Sequence, residues 1–220
     1  MVAATAFGLM SAPTAAASVG LYPGMAIHLS TGYTCSLGFL ATNSDKDRLA
    51  VTAGHCSHKN REIFYDKNNN AIGYVVSRAD DDVDNEVFGY TLISLYDTTY
   101  AYDPFFKKFG SPDNGDWITK YGERTEKTTG RITEVNYEHA ADHPNWSVIR
   151  STIVTLPGDS GSPWYKDSKY GPWLVGISIG TSTRSRDGAF IGSIGFPINS
   201  CLSYIAKTAG DWGPGITVQG

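Results

Sequence analysis

The chain has 220 residues, enough for one ordinary domain or two small ones with ample surface to bury. Its formal charge of −4 is mild and not gathered into long blocks of one sign, which excludes the basic footprint of a nucleic-acid binder. Gly (24) and Tyr (13) are abundant, and short apolar runs are broken repeatedly by Gly, Asn, Asp or Pro, a mixture that belongs to an all-β protein.

Residues 1–17 read as an export signal. Ala3–Met10 is apolar, and Ala15-Ala16-Ala17 offers small residues for cleavage before Ser18. No Lys or Arg precedes Lys46, so the basic opening of such a signal is missing and the start codon is expected upstream of Met1. The apolar run is too short to span a membrane and Pro13 interrupts it, so no membrane partner is expected.

From Tyr22 onward short strands follow one another. Met25–Leu29 alternates, Cys35–Ala41 is a second strand, and Leu49–Ala53 is a third, ending at a turn that holds His55. Glu62–Tyr65 and Ala71–Val76 flank an Asp-Lys-Asn-Asn-Asn run that reads as a hairpin turn, because Asn tolerates positive φ. A strand from about Val83 to Leu95 closes the first half. Asp97–Asp116, rich in turn residues, is the connection to the second. That half holds Trp117–Gly122, Thr128–Val135, Val148–Val154, Gly161–Trp164, Trp173–Ile179 and Ala189–Pro197, before a helical tail at Asn199–Thr208. About six short strands on each side suit a pair of small antiparallel barrels, and a single sandwich almost as well.

Two motifs carry chemistry. Pro157-Gly158-Asp159-Ser160-Gly161-Ser162-Pro163 places a serine between glycines that let the backbone bend tightly. Such a bend aims the N–H groups of Gly158 and Ser160 at one point, as an oxyanion hole requires. Upstream, Val51-Thr52-Ala53-Gly54-His55-Cys56 supplies a base. A serine is a poor nucleophile until a base takes its proton, so each motif completes the other. No two cysteines have metal-ligand spacing, so no metal site is expected.

Histidine first and serine roughly a hundred residues later, in these two segments, resembles the chymotrypsin-like serine proteases, especially their short secreted actinobacterial forms. The resemblance spans about Met25 to Ile205. Trp117–Gly122 and Thr128–Val135 resemble the strand pair that opens the second barrel of those proteins, where Lys-x-Gly is followed by Thr-x-Gly. The resemblance implies an all-β fold of two antiparallel six-stranded β-barrels with a short C-terminal α-helix. The expected divisions are a signal at 1–17, a first barrel at 18–110, and a second barrel with the helix at 111–220.

It also implies a disulfide between Cys35 and Cys56, which closes a loop of about 20 residues and contributes roughly 3 kcal/mol. Cys201 is then left as a buried free thiol. In such proteins the carboxylate that orients the histidine begins a strand matched here by Tyr90–Leu95, which puts Gly89 at the acid's place. The other register starts at Asp84, and Asp82 is a third candidate. Asp84 is chosen as the catalytic acid beside His55 and Ser160; the competing reading makes Asp80–Glu86 a solvated loop. Asp159 is expected to hold the oxyanion loop from a buried position. By register, Val154 and Thr155 fall at the floor of the specificity pocket and Ser178 to Gly180 along its wall, although Val154 and Ile179 also read as barrel core. No acid marks the floor, so an apolar or small side chain is expected before the cleaved bond.

The function so implied is a secreted, extracellular serine endopeptidase. It acts as a monomer on peptide or protein substrates through an acyl-enzyme, without cofactor or metal. The alternative is a secreted homologue with weakened or absent catalysis that serves as a binding protein, for which the Gly89 register is the main support.

Overall fold

A computed structural model describes residues 18–101, 105–137, 139–183 and 186–219. The proposed export segment lies outside these residues.

The first half contains β1 (Val19–Leu21), β2 (Ala26–Leu29), β3 (Thr34–Ser36), β4 (Phe39–Thr42), β5 (Leu49–Ala53), β6 (Ile63–Asp66), β7 (Ala71–Ala79), β8 (Tyr90–Leu95) and β9 (Thr99–Ala101). The second contains β10 (Lys108–Phe109), β11 (Trp117–Gly122), β12 (Glu126–Asn136), β13 (Val148–Ser151), β14 (Pro163–Lys166), β15 (Trp173–Thr183), β16 (Phe190–Pro197), helix α1 (Ile198–Thr208) and β17 (Thr217–Val218). Among the described residues the fold is therefore mostly β with one α-helix. The helix forms where Ile198, Cys201, Leu202 and Ile205 recur at helical spacing, and that stripe is buried.

In the second half β15, β14, β11, β12, β13 and β16 pair in that order, and β16 pairs back onto β15. This is a closed six-stranded antiparallel barrel. The first half departs from the expected second barrel: it is an open sheet of eight strands, in the order β17-β4-β5-β8-β7-β6-β2-β3. The reason lies at the end of the chain. Thr217 and Val218 pair with Thr42 and Ala41, so β17 occupies the free edge of β4. That capping also protects an edge that would otherwise be open. Counted by the expected units 18–110 and 111–220, the halves exchange short strands, since β10 at Lys108–Phe109 pairs with β15 while β17 joins the first sheet.

The strand expected from Val83 is shorter than its apolar residues suggest. Asp82 and Val87 bond each other by both backbone groups (2.7 and 2.9 Å), closing a turn over Val83–Glu86, and the strand itself starts at Tyr90. Asp82 holds that turn by accepting from the Asn85 backbone N–H (3.2 Å) and its side-chain amide (2.8 Å). Short polar side chains with local backbone partners end strands in this way.

The larger core fills the first sheet and runs through Phe88 and Phe196, whose rings lie 5.7 Å apart, to the buried face of α1. A smaller one, around Trp164, Ile118, Ile132, Ile149, Ile153 and Val175, fills the closed barrel. The two motifs meet where the halves join, with Gly161 against Thr52 and Ala53.

Candidate active site

His55 sits in a short 3-10 turn at the end of β5. Cys56, next to it, is bonded to Cys35 on β3, with 6.1 Å between the Cα atoms, as the resemblance implied. A ring nitrogen of His55 and both sulfurs lie within 4.8 Å of one another, so the bridge packs directly under the turn that presents the imidazole.

The carboxylate on that imidazole belongs to Asp81. Its Oδ2 lies 2.5 Å from His55 Nδ1 and accepts the His55 backbone N–H at 2.9 Å. Its Oδ1 accepts the backbone N–H of Gly89 at 2.5 Å. The Asp81 side chain is fully buried. A carboxylate held by three donors and sealed from water has its direction fixed, which is what orienting an imidazole tautomer requires.

Asp84, the expected acid, is exposed on the turn beyond Asp81, and Asp82 is spent on capping that turn. Both lie off the imidazole. The expectation failed on register: the residues after Asp81 leave the strand as a turn and return at Gly89. Gly89 stands where the resemblance of β8 would put the acid, and its N–H reaches back to the Asp81 carboxylate. No larger residue fits there, because a Cβ at Gly89 would lie 2.0 Å from the Ala79 carbonyl oxygen. Gly89→Ala is expected to destabilise the fold by about 3 kcal/mol through this backbone clash, read by denaturant unfolding.

Ser160 lies in the cleft opposite, half-buried. Its carbonyl accepts the Ser36 N–H at 2.8 Å and lies 4.0 Å from Cys56 Sγ, so the serine loop is tied to the strand and the disulfide beside His55. Ser36 Oγ donates to the Gly158 carbonyl (2.9 Å) and accepts from the Glu123 N–H (2.9 Å), pinning the same loop a second time. The signal for Ser36 in the sequence is slight: it is the residue after Cys35. Gly158 and Gly161 adopt φ of 108° and 82°. At Gly161 a Cβ would also meet Thr52 Oγ1 at 2.0 Å, so only glycine lets the two halves approach. Among the described residues the N–H groups of Gly158 and Ser160 donate to no protein acceptor. They are available to an oxyanion.

Asp159 is buried behind the serine and collects five donors. Oδ1 accepts from the N–H groups of Arg124 (2.9 Å) and Thr125 (3.1 Å). Oδ2 accepts from Thr125 Oγ1 (2.7 Å) and the Leu156 N–H (3.0 Å), with Lys120 Nζ at 3.1 Å. Burial pushes its pKa up, but the hydrogen bonds from Thr125 and Leu156 and the Lys120 charge outweigh it, and the carboxyl titrates below its usual range. Lys120 is equally buried and lies in the Lys-x-Gly segment already noted for its resemblance.

The cleft beside Ser160 has a volume of about 490 Å³ and is lined by Gly32–Thr34 on one side and by Thr155–Gly158, Ser160, Gly180 and Thr181 on the other. Every one of these residues is uncharged. Thr155 is buried, with its hydroxyl 3.2 Å from that of Ser178, and Gly180 faces the cleft. Val154 is 44% exposed, so it is not core, and it is not among these lining residues. Alternation explains it, since Thr155 next to it takes the inward position. Cys201 is a buried free thiol on α1, and burial together with the nearby Asp81 charge pushes its pKa far up, which removes it as a nucleophile.

No family model matches the chain. Its sequence is 26% identical to serine protease 2 of Streptomyces fradiae over 174 residues, 75% of this chain and 97% of that protein. Its backbone is similar to that of a glutamic-acid-specific serine protease that uses a histidine triad in substrate binding (TM-score 0.64, 24% identity, 90% of this chain and 99% of that one). It is also similar to Nocardiopsis protease (TM-score 0.64, 18%, 92% and 100%) and to Thermobifida fusca protease A (TM-score 0.59, 20%, 84% and 96%). The structural likenesses establish the fold, and the sequence relative carries the chemistry's name. With the histidine and serine motifs, they show a chymotrypsin-like fold and a sequence similar to that of a bacterial serine protease.

Proposed function

We propose that the chain is a secreted serine endopeptidase whose working groups are Ser160, His55 and Asp81. Ser160 Oγ attacks the scissile carbonyl carbon while His55 Nε2 takes its proton. Asp81 holds Nδ1 and stabilises the imidazolium that forms. The oxyanion is received by the N–H groups of Gly158 and Ser160. His55 returns the proton to the leaving amine as the C–N bond breaks, which leaves an ester on Ser160. Water, deprotonated by the same imidazole, then attacks that ester and regenerates the serine.

The observation that carries the assignment is the buried Asp81 carboxylate bonded both to His55 Nδ1 and to the His55 backbone. It removes the support that the Gly89 register gave to a catalytically weakened binding protein. The uncharged cleft lining supports a small or apolar side chain before the cleaved bond, with Thr155 and Gly180 as the residues that bound it. The glutamate preference of one structural neighbour is not carried over, because none of the lining residues is a histidine.

The disulfide supports an oxidising compartment. Among the described residues no helix is long and apolar enough to cross a membrane. We read the chain as acting alone, with units at 18–110 and 111–220 that exchange the short strands β10 and β17.

Fluorophosphonate labelling of the exported protein, with mass spectrometry of the adduct, tests this reading. The expected adduct is on Ser160, is absent from Ser160→Ala, and is strongly slowed in His55→Ala. A peptide library should then show cleavage after small or apolar residues. Folded protein that takes no label over hours would overturn the assignment.

A further inference from the structure

Asp81 orients His55, but Asp81 sits at the base of a turn, and a turn needs something to fix it. The turn Asp82–Val87 projects from the first half, closed on itself by the paired backbone bonds of Asp82 and Val87. Glu86 at its far side has φ of 55°, in the left-handed region. Contacts from the second half reach the turn here. The Glu86 carboxylate bonds Arg150 Nη2 on β13. Phe88 donates its N–H to the Asn145 carbonyl at 2.8 Å and packs its ring against Phe196.

Arg150 makes two further bonds. Its Nε lies 3.1 Å from Glu134 Oε2 on β12, which fixes the guanidinium from behind. Its Nη1 donates to Ser182 Oγ at 3.1 Å, on the same strand that carries Ser178 and Gly180 along the substrate cleft. Val83, on the turn, stands over that strand: a Cβ at Gly180 would lie 3.4 Å from Val83 Cγ1. One guanidinium therefore ties the turn behind the catalytic acid to the wall strand beside the nucleophile. His55 and Asp81 come from one half and Ser160 from the other, so their alignment depends on ties of this kind.

We propose that Arg150, through Glu86, is a positioning residue that holds the Asp81 turn in register with the half that carries Ser160. The proposal rests on the His55–Asp81–Ser160 reading given above. Magnitude separates positioning from stability here. Arg150 is 26% exposed, Glu86 40% and Glu134 51%, and ion pairs so open to water contribute little to folding. Their loss should leave the melting temperature nearly unchanged while loosening a turn whose alignment the reaction needs.

The test compares wild type with Arg150→Gln, Glu86→Gln, the double variant and Arg150→Lys, each normalised to active sites titrated with a fluorophosphonate. The expected result is a kcat per titrated site lowered about fivefold in either single variant, the ceiling such a network sets, with KM within about twofold. The double variant should be no worse than either single one, because the two residues act as one unit. Arg150→Lys should recover part of the loss, since it keeps the charge but not the fork that spans Glu86 and Ser182. An unchanged kcat per titrated site overturns the proposal, whether KM alone rises or the melting temperature alone falls. Multiplying rather than overlapping losses in the double variant also overturns it. If wild type itself is not titrated, the catalytic reading fails instead, so the two failures are told apart.

Discussion

Asp81→Asn is expected to lower kcat by about ten-thousand-fold, roughly 5.5 kcal/mol of transition-state stabilisation, with KM little changed. The argument is one of donors and acceptors. An asparagine fills the same buried space, so no cavity forms, and its oxygen can still accept from the Gly89 N–H. The other terminus then becomes an NH₂ group facing the His55 backbone N–H and Nδ1, which the carboxylate now meets at 2.9 and 2.5 Å. Donor faces donor. The imidazole relieves this by turning Nδ1 into an acceptor, which moves its proton to Nε2, the atom that must receive the proton of Ser160. Asp84→Asn serves as the control: Asp84 is exposed and off the imidazole, and its variant should stay within about twofold of wild type. Steady-state kinetics of the two purified variants decides the matter. A large loss in Asp84→Asn with none in Asp81→Asn would return the acid to the register first expected.

That register error marks where the sequence stopped being legible. The glycine-flanked serine and the histidine next to a cysteine are local signals, because the chemistry needs those residue types side by side. Both lie beside the Cys35–Cys56 bridge. The partner of Cys56 was legible through resemblance, and the helical tail read at Asn199–Thr208 is matched by the helix at Ile198–Thr208. The acid is a different kind of fact. Asp80, Asp81, Asp82 and Asp84 are chemically alike, and only the turn closed by Asp82 and Val87 decides which one stays against the core. The clue was Gly89, a residue that cannot be the acid yet occupies its place. Its missing side chain is the condition for Asp81 to reach the same point from outside the strand. The openness of the first sheet was hidden in the same way, since the edge of β4 is capped by residues near the far end of the chain. Contacts set by such distant segments leave no local pattern to read.

Lys120→Met is expected to destabilise the protein by about 3–5 kcal/mol, lowering the melting temperature by roughly 10 °C, and to disable the oxyanion loop in the molecules that remain folded. Lys120 and Asp159 are both fully buried, 3.1 Å apart, and Thr125 bridges them with 2.5 Å to Lys120 Nζ and 2.7 Å to Asp159 Oδ2. The partners do not gain equally. Burial draws the Lys120 ammonium below its usual pKa despite the Asp159 charge, whereas the carboxylate, with its hydrogen bonds from Thr125 and Leu156, stays below its own despite burial. The favourable side of the pair therefore lies with the ionised Asp159, and removing the lysine strands that charge. Replacing both residues, as Lys120→Met with Asp159→Leu, should recover part of the stability because no buried charge is left. It should not recover activity, since the Leu156 N–H and Thr125 lose the acceptor that shapes the loop before Ser160. The pH dependence has a definite sign. A carboxyl whose folded pKa lies below the unfolded 3.8 contributes stability that is present above 3.8 and is lost as pH falls through the folded value. Thermal melts from about pH 6 down to about pH 3 should thus show wild type falling steeply at the acid end, with Asp159→Asn falling less from a lower start. Parallel curves for the two proteins would mean that Asp159 is not the group that holds the oxyanion loop by its charge.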